Sequence, residues 1–143
     1  VIVLDTTVLV YSKGSDHALR DPCRQLISAI ADGQLQATTT VEVIQEFAHV
    51  RAQRRGRADA AALAAGYAEM LAPLLTVTND DLGVGLSIFA REARLGAVDA
   101  VLAAAALASG ASAIVSADMA FSDVSELPHV FPDANGIAAL LRA

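Results

Sequence analysis

Four acidic residues stand where folding alone gives them little reason to be. Asp5 directly follows the apolar run Val1–Leu4, and Asp118 follows Ala-Ile-Val-Ser-Ala. An acid placed just after an apolar strand sits at the rim of a sheet, half removed from water. Asp99 lies between Gly-Ala-Val and Ala-Val-Leu-Ala-Ala-Ala-Ala, where an unpartnered carboxylate is expensive to bury. Glu46 stands one helical turn after Glu42, beside Phe47 and near an apolar stripe. Each has an ordinary explanation. A strand-end acid caps the next helix, Asp99 meets a helix dipole in a first turn, and Glu46 pairs with Arg51. Together they suggest a site. Like charges about 5 Å apart repel by roughly 3 kcal/mol per pair at an effective dielectric of ~20. A hard divalent cation offsets that repulsion because it takes oxygen ligands. His17, His49 and His129 are scattered and no zinc-type Cys/His spacing exists, so Mg²⁺ or Mn²⁺ is the expected ion.

The elements that must position these acids alternate between strand and helix. Val1–Leu4 reads as a strand, and a helix follows from Thr7. Asp21-Pro22 starts a second helix, with Asp21 as cap and Pro22 at the first helical position, running Cys23 to Ala31 and stopping near Gly33. Leu35–Thr40 is a second strand. Thr39 and Glu42 fit a capping box, opening a helix to about Arg55 with Val43, Ile44, Phe47 and Val50 as its apolar stripe. The box gives Glu42 a structural job, which leaves Glu46 as the functional acid. Gly56 ends that helix, Asp59 to Leu71 forms another, and Leu74–Thr78 reads as a third strand. Asp81 to Leu95 and Ala97 to Ser109 are helical, closed by Gly96 and Gly110. Ala113–Ser116 is a fourth strand, Val130–Phe131 a short fifth, and Gly136–Arg142 a final helix. This alternation predicts an α/β fold whose mostly parallel sheet of four to five strands is covered on both faces. In such sheets ligands bind beyond the carboxyl ends of the strands, where Asp5 and Asp118 fall.

Composition agrees. The 143 residues suit one domain spanning 1–143, and 55% apolar with only 4% aromatic residues implies a core of Val, Ile, Leu and Ala. No repeat or linker interrupts it. A net charge of −6 argues by itself against nucleic-acid binding. Positive charge is nevertheless clustered, with Arg51, Arg54, Arg55 and Arg57 just after the Glu46 helix, a patch that can grip phosphates or simply favour a helix end. Lys13 is the only lysine. The single Cys23 permits no intrachain disulfide and reads as a buried small hydrophobe. The apolar run Ala97–Ala113 is interrupted by Asp99, Ser109 and Gly110 and is short of a membrane span, so a cytoplasmic protein without membrane association is the default expectation.

Four segments in order carry a family resemblance: Val-Leu-Asp5-Thr-Thr-Val-Leu-Val, Thr-Val-Glu-Val-Ile-Gln-Glu46-Phe, Gly-Ala-Val-Asp99-Ala-Val-Leu-Ala-Ala-Ala and Ile-Val-Ser-Ala-Asp118-Met-Ala-Phe. The chain resembles the PIN-domain ribonucleases over its whole length, particularly the VapC-type toxins of toxin–antitoxin pairs. The resemblance implies an α/β/α sandwich and an acidic quartet of Asp5, Glu46, Asp99 and Asp118 holding Mg²⁺ or Mn²⁺. Asp5 and Asp99 are the foremost expected ligands, with Glu46 and Asp118 binding a second ion or positioning water. A metal so held creates a water nucleophile for phosphodiester cleavage. Thr6 and Ser116 match supporting polar positions. Thr7 stands where many relatives have Asn or Ser, and keeps a hydroxyl; Ser116 stands where Thr is usual. Asp123 matches loosely as a fifth acid and reads better as a solvated turn residue. The resemblance further implies RNA as substrate, a VapB-type antitoxin as partner and a homodimer.

Other readings fit less well. A haloacid-dehalogenase phosphatase needs a second Asp where this chain has Thr7, and a receiver domain needs a late Lys. No phosphate-binding glycine loop is present; Gly83 and Gly85 lie inside a predicted helix. A non-catalytic PIN-like RNA-binding or interaction module is the serious alternative, and retention of all four acids speaks against it.

Overall fold

The computed structural model describes residues 1–143. Ile2–Leu4 forms β1, and Thr6–Lys13 follows as α1, with Asp5 alone between them. Arg20–Ala31 is α2 and Ala37–Thr38 is β2. Val41–Arg55 is α3 and Arg57–Met70 is α4, turned against each other at Gly56, whose φ of 88° suits glycine. Asn79–Arg91 is α5, Ala97–Ala108 is α6 and Ala113–Val115 is β3. A short 3₁₀ helix over Met119–Asp123, β4 at His129–Val130 and α7 at Ala134–Arg142 complete the chain.

The sheet runs β2-β1-β3-β4 with every pairing parallel. The expected α/β architecture is borne out. β1 and β3 are adjacent at the centre and fully buried, which explains their unbroken aliphatic sequences. Their chain direction brings Asp5 and Ser116 out at the same edge, and the Asp5 N–H still donates to the Val115 carbonyl at 3.0 Å. One cluster of 29 buried residues forms the core, built mostly of Val, Ile, Leu and Ala with Phe47, Tyr67 and Phe121 added. Cys23 is buried in it, and burial pushes its thiol up to about 12, consistent with a packing role.

Several local expectations are corrected. Leu74–Thr78 is not a strand of the sheet; only the single bridge Thr40↔Leu75 forms there. The turn just before it is tied to β2 by the Thr38 hydroxyl, which donates to the carbonyls of Leu71 and Pro73 at 3.0 and 2.9 Å. The cap of α3 is Thr40, whose hydroxyl accepts from the Val43 N–H, whereas Thr39 points inward and donates to the Leu4 carbonyl at 2.6 Å. The predicted Thr39–Glu42 box therefore does not form. The capping box of the molecule is at Thr78 and Asp81 instead, opening α5. α2 begins at Arg20, so Asp21 is not its cap, and Pro22 occupies the third helical position, where its missing N–H still costs nothing. α5 ends at Arg91 rather than Leu95, and the 3₁₀ turn after β3 was not expected.

Candidate active site

A cleft of about 440 Å³ opens at the carboxyl edge of the sheet, and Asp5, Glu46, Asp99 and Asp118 all line it. They reach it from β1, α3, α6 and the turn after β3, so positions far apart in sequence converge. Asp5 is 4% exposed and held by hydroxyls. Ser116 donates to its Oδ2 at 2.6 Å, and Thr7 donates to the same oxygen at 3.3 Å. The two hydroxyls are themselves fixed from behind by main chain. The Asp118 N–H donates to Ser116 Oγ at 3.0 Å, and the Ala117 N–H donates to Thr7 Oγ1 at 2.9 Å. With their lone pairs so engaged, both hydroxyls direct protons at Asp5. Burial raises the Asp5 pKa, and the Ser116 bond works against that rise.

Glu46 is steered by Thr6, whose hydroxyl donates to Oε2 at 3.1 Å. Arg51 does not pair with it. Asp118 accepts the Ala120 N–H at Oδ1, 2.9 Å away, and so caps the 3₁₀ helix while facing the cleft. Asp99 is the third residue of α6 and accepts no hydrogen bond. Its pKa is pushed up to about 7, first by burial and then by the charges of Asp5, Asp118 and Glu46. The first-turn placement expected for Asp99 is real. The charges of the other three acids thus all reach Asp99.

The donor set suits a hard cation: carboxylate oxygens in excess, no thiolate, and an acid raised by its neighbours. No three of the side chains close by themselves into a ligand cage. Mg²⁺ does not need one, since it keeps several waters and is commonly bound through one or two carboxylates.

Asp123 stands apart. Arg94 grips it with two bonds of 2.8 Å, which holds its carboxyl below the usual range. Of the arginine cluster, Arg54 lines the acidic cleft, and Arg51, Arg54 and Arg55 line a neighbouring one. Arg57 lines neither. Part of the cleft lining is not evident in the sequence. Tyr11 and His17 pack there as a tilted ring pair with centroids 4.4 Å apart, next to Ser15 and Asp16. The Leu19 N–H donates to His17 Nδ1 at 3.0 Å, which fixes the ring. A rare half-exposed aromatic near a polar turn is the only signal the sequence carries there.

A parallel sheet with four carboxylates gathered at its carboxyl edge defines a class, and the PIN-domain family model matches residues 2–127. The chain belongs to the PIN-domain family. It is 54% identical over 145 residues to Ribonuclease VapC7 of Mycobacterium tuberculosis, covering 99% of this chain and 98% of that protein. Two solved structures share the fold. The Mycobacterium tuberculosis toxin VapC20, described as cleaving the sarcin–ricin loop, superposes with a TM-score of 0.73 at 21% identity over 86% of this chain and 94% of that one. VapBC2 from Rickettsia felis, bound to a fragment of promoter DNA, gives 0.68 at 14% identity over 90% and 96%.

Proposed function

We propose that this chain is a single-domain, divalent-metal-dependent endoribonuclease, the toxin of a VapBC-type toxin–antitoxin pair. The observation that carries the reading is the convergence of four carboxylates on one cleft, where burial first and then the charges of Asp5, Asp118 and Glu46 raise Asp99. A binding or interaction module has no use for such mutual repulsion. Mg²⁺ or Mn²⁺, when bound, supplies an activated water and offsets charge on the phosphoryl oxygens. The chain's own residues do the rest. Asp5, held at Oδ2 by Ser116 and Thr7, presents its carboxylate in one orientation, and Asp99 adds an unbonded carboxylate facing it. Glu46, turned inward by Thr6, and Asp118, tied to the 3₁₀ turn, complete the oxygen set and orient water. No protein nucleophile is required.

The name of the VapC7 relative supports ribonuclease activity, and the Rickettsia complex supports a VapB-type antitoxin. An apolar cleft of about 310 Å³ lined by Leu82, Leu86 and Val98 borders Asp5, Glu46 and Asp99. It suits an antitoxin segment that seats apolar side chains there and aims a basic one at the acids. Val84 and Phe89, exposed on α5, supply apolar surface for a homodimer. No helix is long and apolar enough to cross a membrane, in keeping with action on RNA in the cytoplasm.

The test is to sequence RNA ends in cells expressing the protein or Asp5→Ala. New ends at defined sites and growth arrest are expected with the wild type alone, both relieved by a co-expressed antitoxin. Identical ends in the two cultures would contradict the reading.

A further inference from the structure

The acidic cleft does not stop at Arg54. It continues into a second cleft of about 450 Å³ between the carboxyl-terminal ends of α1 and α3. The two share Val10, Gly14, Ser15, Val50 and Arg54 as lining, so they are one groove with an acidic end and a basic end. Lys13, Arg51 and Arg55 complete the basic end.

Three of the four cations there carry no ion pair. Arg20, Arg51, Arg91 and Arg94 each pair with a carboxylate. The remaining basic side chains, Lys13, Arg24, Arg54, Arg55, Arg57 and Arg142, have no carboxylate within 4.0 Å in the ion pairs formed. Half of those unpaired cations meet in this one cleft, in a chain of net charge −6. Arg51 builds the cleft. Its Nε donates to Asp59 at 2.6 Å and its Nη1 to the Lys13 carbonyl at 3.0 Å, tying the end of α1 to α3 and α4. No acid lines the basic end itself, and Asp59 is held by Arg51. The Arg51 bond holds its carboxyl below the usual range, and the charges of Arg55 and Lys13 act on it too. Lys13, Arg54 and Arg55 are exposed and free to take an anion.

Cations at helix carboxyl ends also compensate the dipole. That role predicts scattered positions around each helix end, whereas these three line a groove that leads to the acids. We propose that Lys13, Arg54 and Arg55 form a phosphate-binding subsite, which holds the RNA backbone phosphate neighbouring the one presented to the acidic cluster. The proposal rests on the nuclease reading for the identity of the polymer. The acidic end alone repels RNA until a cation binds, so the basic end supplies the affinity that does not depend on metal.

The experiment measures binding of a fluorescent single-stranded oligoribonucleotide in chelator, where cleavage is absent, and then KM and kcat with Mn²⁺. Lys13→Gln combined with Arg55→Gln is expected to weaken binding about tenfold at low salt. The slope of log affinity against log salt should flatten by about 0.7 for each phosphate that is no longer neutralised. KM should rise while kcat stays, and Arg142→Gln should change neither. A neutral methylphosphonate linkage beside the cleaved bond should weaken binding to the wild type more than to the double variant, which keeps only Arg54 of the three. Unchanged affinity and KM in a folded double variant that still cleaves would overturn the subsite and leave the nuclease standing. RNA binding abolished in the double variant, in a protein that cleaves nothing, would uphold the subsite and remove the nuclease reading.

Discussion

The Ser116 hydroxyl, just beyond β3, donates to Asp5 Oδ2, just beyond β1, at 2.6 Å. Two neighbouring parallel strands thus end on a bonded pair, and the pair converts sheet register into carboxylate orientation. Thr7 bonds the same oxygen, so no side-chain hydroxyl engages Oδ1. The sheet edge thus holds Oδ2 of an acid that lines the cleft.

Ser116→Ala removes the stronger of these bonds from a buried carboxylate. The loss should cost about 1–3 kcal/mol of stability. Because outer partners orient a metal-binding carboxylate, Mn²⁺ affinity and cleavage should fall by about 10–100-fold. Ser116→Thr keeps the hydroxyl and should recover most of both. Titration calorimetry with Mn²⁺ checks the affinity, and an Ala variant that binds the ion as the wild type does would remove Ser116 from the site.

Asp99 makes stability depend on pH in an unusual direction. In the metal-free folded protein it loses its proton near 7, against an ordinary 3.8. Between those values the unfolded chain is ionised there and the folded chain is not, so stability declines as pH rises through the window and is level above it. Asp99→Asn removes the effect. In chelator it should raise Tm by several degrees at about pH 8 and leave it unchanged at about pH 4. Added Mg²⁺ should raise the wild-type Tm more than that of the variant, since ligand binding to the folded state stabilises it. Scanning calorimetry in both buffers checks it.

Much of this is legible in the sequence, for identifiable reasons. β1 and β3 are fully buried, so they appear as unbroken aliphatic runs, and an acid or hydroxyl immediately after each marks the sheet edge. Asp99 stands out because its helix is otherwise almost free of polar residues. What fails depends on tertiary competition. Thr39 and Thr40 are adjacent and chemically identical, and only the carbonyl of Leu4 decides which one turns inward. Leu74–Thr78 has strand-like residues but forms a single bridge, and Thr38 ties the turn just before it to β2. The capping box that separates Glu46 from Glu42 in the sequence does not form. Glu46 faces the cleft for another reason, the Thr6 hydroxyl, which no spacing rule reveals. Arg51 reads as an RNA contact in the sequence; in the structure it bridges Asp59 and the Lys13 carbonyl, a tie no spacing rule reveals.

Glu46 and Glu42 offer a direct contrast. Glu46 lines the acidic cleft and Glu42 does not. Glu46→Gln should lower kcat by at least about tenfold, the scale expected when a positioned oxygen loses its charge. Glu42→Gln should leave cleavage within about twofold, since Glu42 is exposed and lines only the adjoining apolar cleft, and such surface substitutions change little. Steady-state cleavage of one oligoribonucleotide by both variants distinguishes them.

Two glycines of α5 should respond oppositely to the same change. A Cβ on Gly85 would lie 2.7 Å from the Val101 Cα of α6, a backbone atom that cannot turn aside. Gly85→Ala should therefore destabilise, with overpacking of about 1–3 kcal/mol exceeding the helix-propensity gain. A Cβ on Gly83 meets nothing within 4 Å, so Gly83→Ala should stabilise by about 1 kcal/mol. Urea unfolding of the two variants reads the sign.

If the acids around Asp99 hold a divalent ion that cleaves RNA, Asp99→Asn must silence the protein without unfolding it. The decisive measurement is RNA cleavage by purified wild type and Asp99→Asn across a Mg²⁺ and Mn²⁺ titration, with chelator as baseline and circular dichroism to verify folding. Metal-dependent cleavage is expected from the wild type, and none above baseline from the folded variant. Undiminished cleavage by Asp99→Asn, or cleavage that persists in chelator, would contradict the metal site.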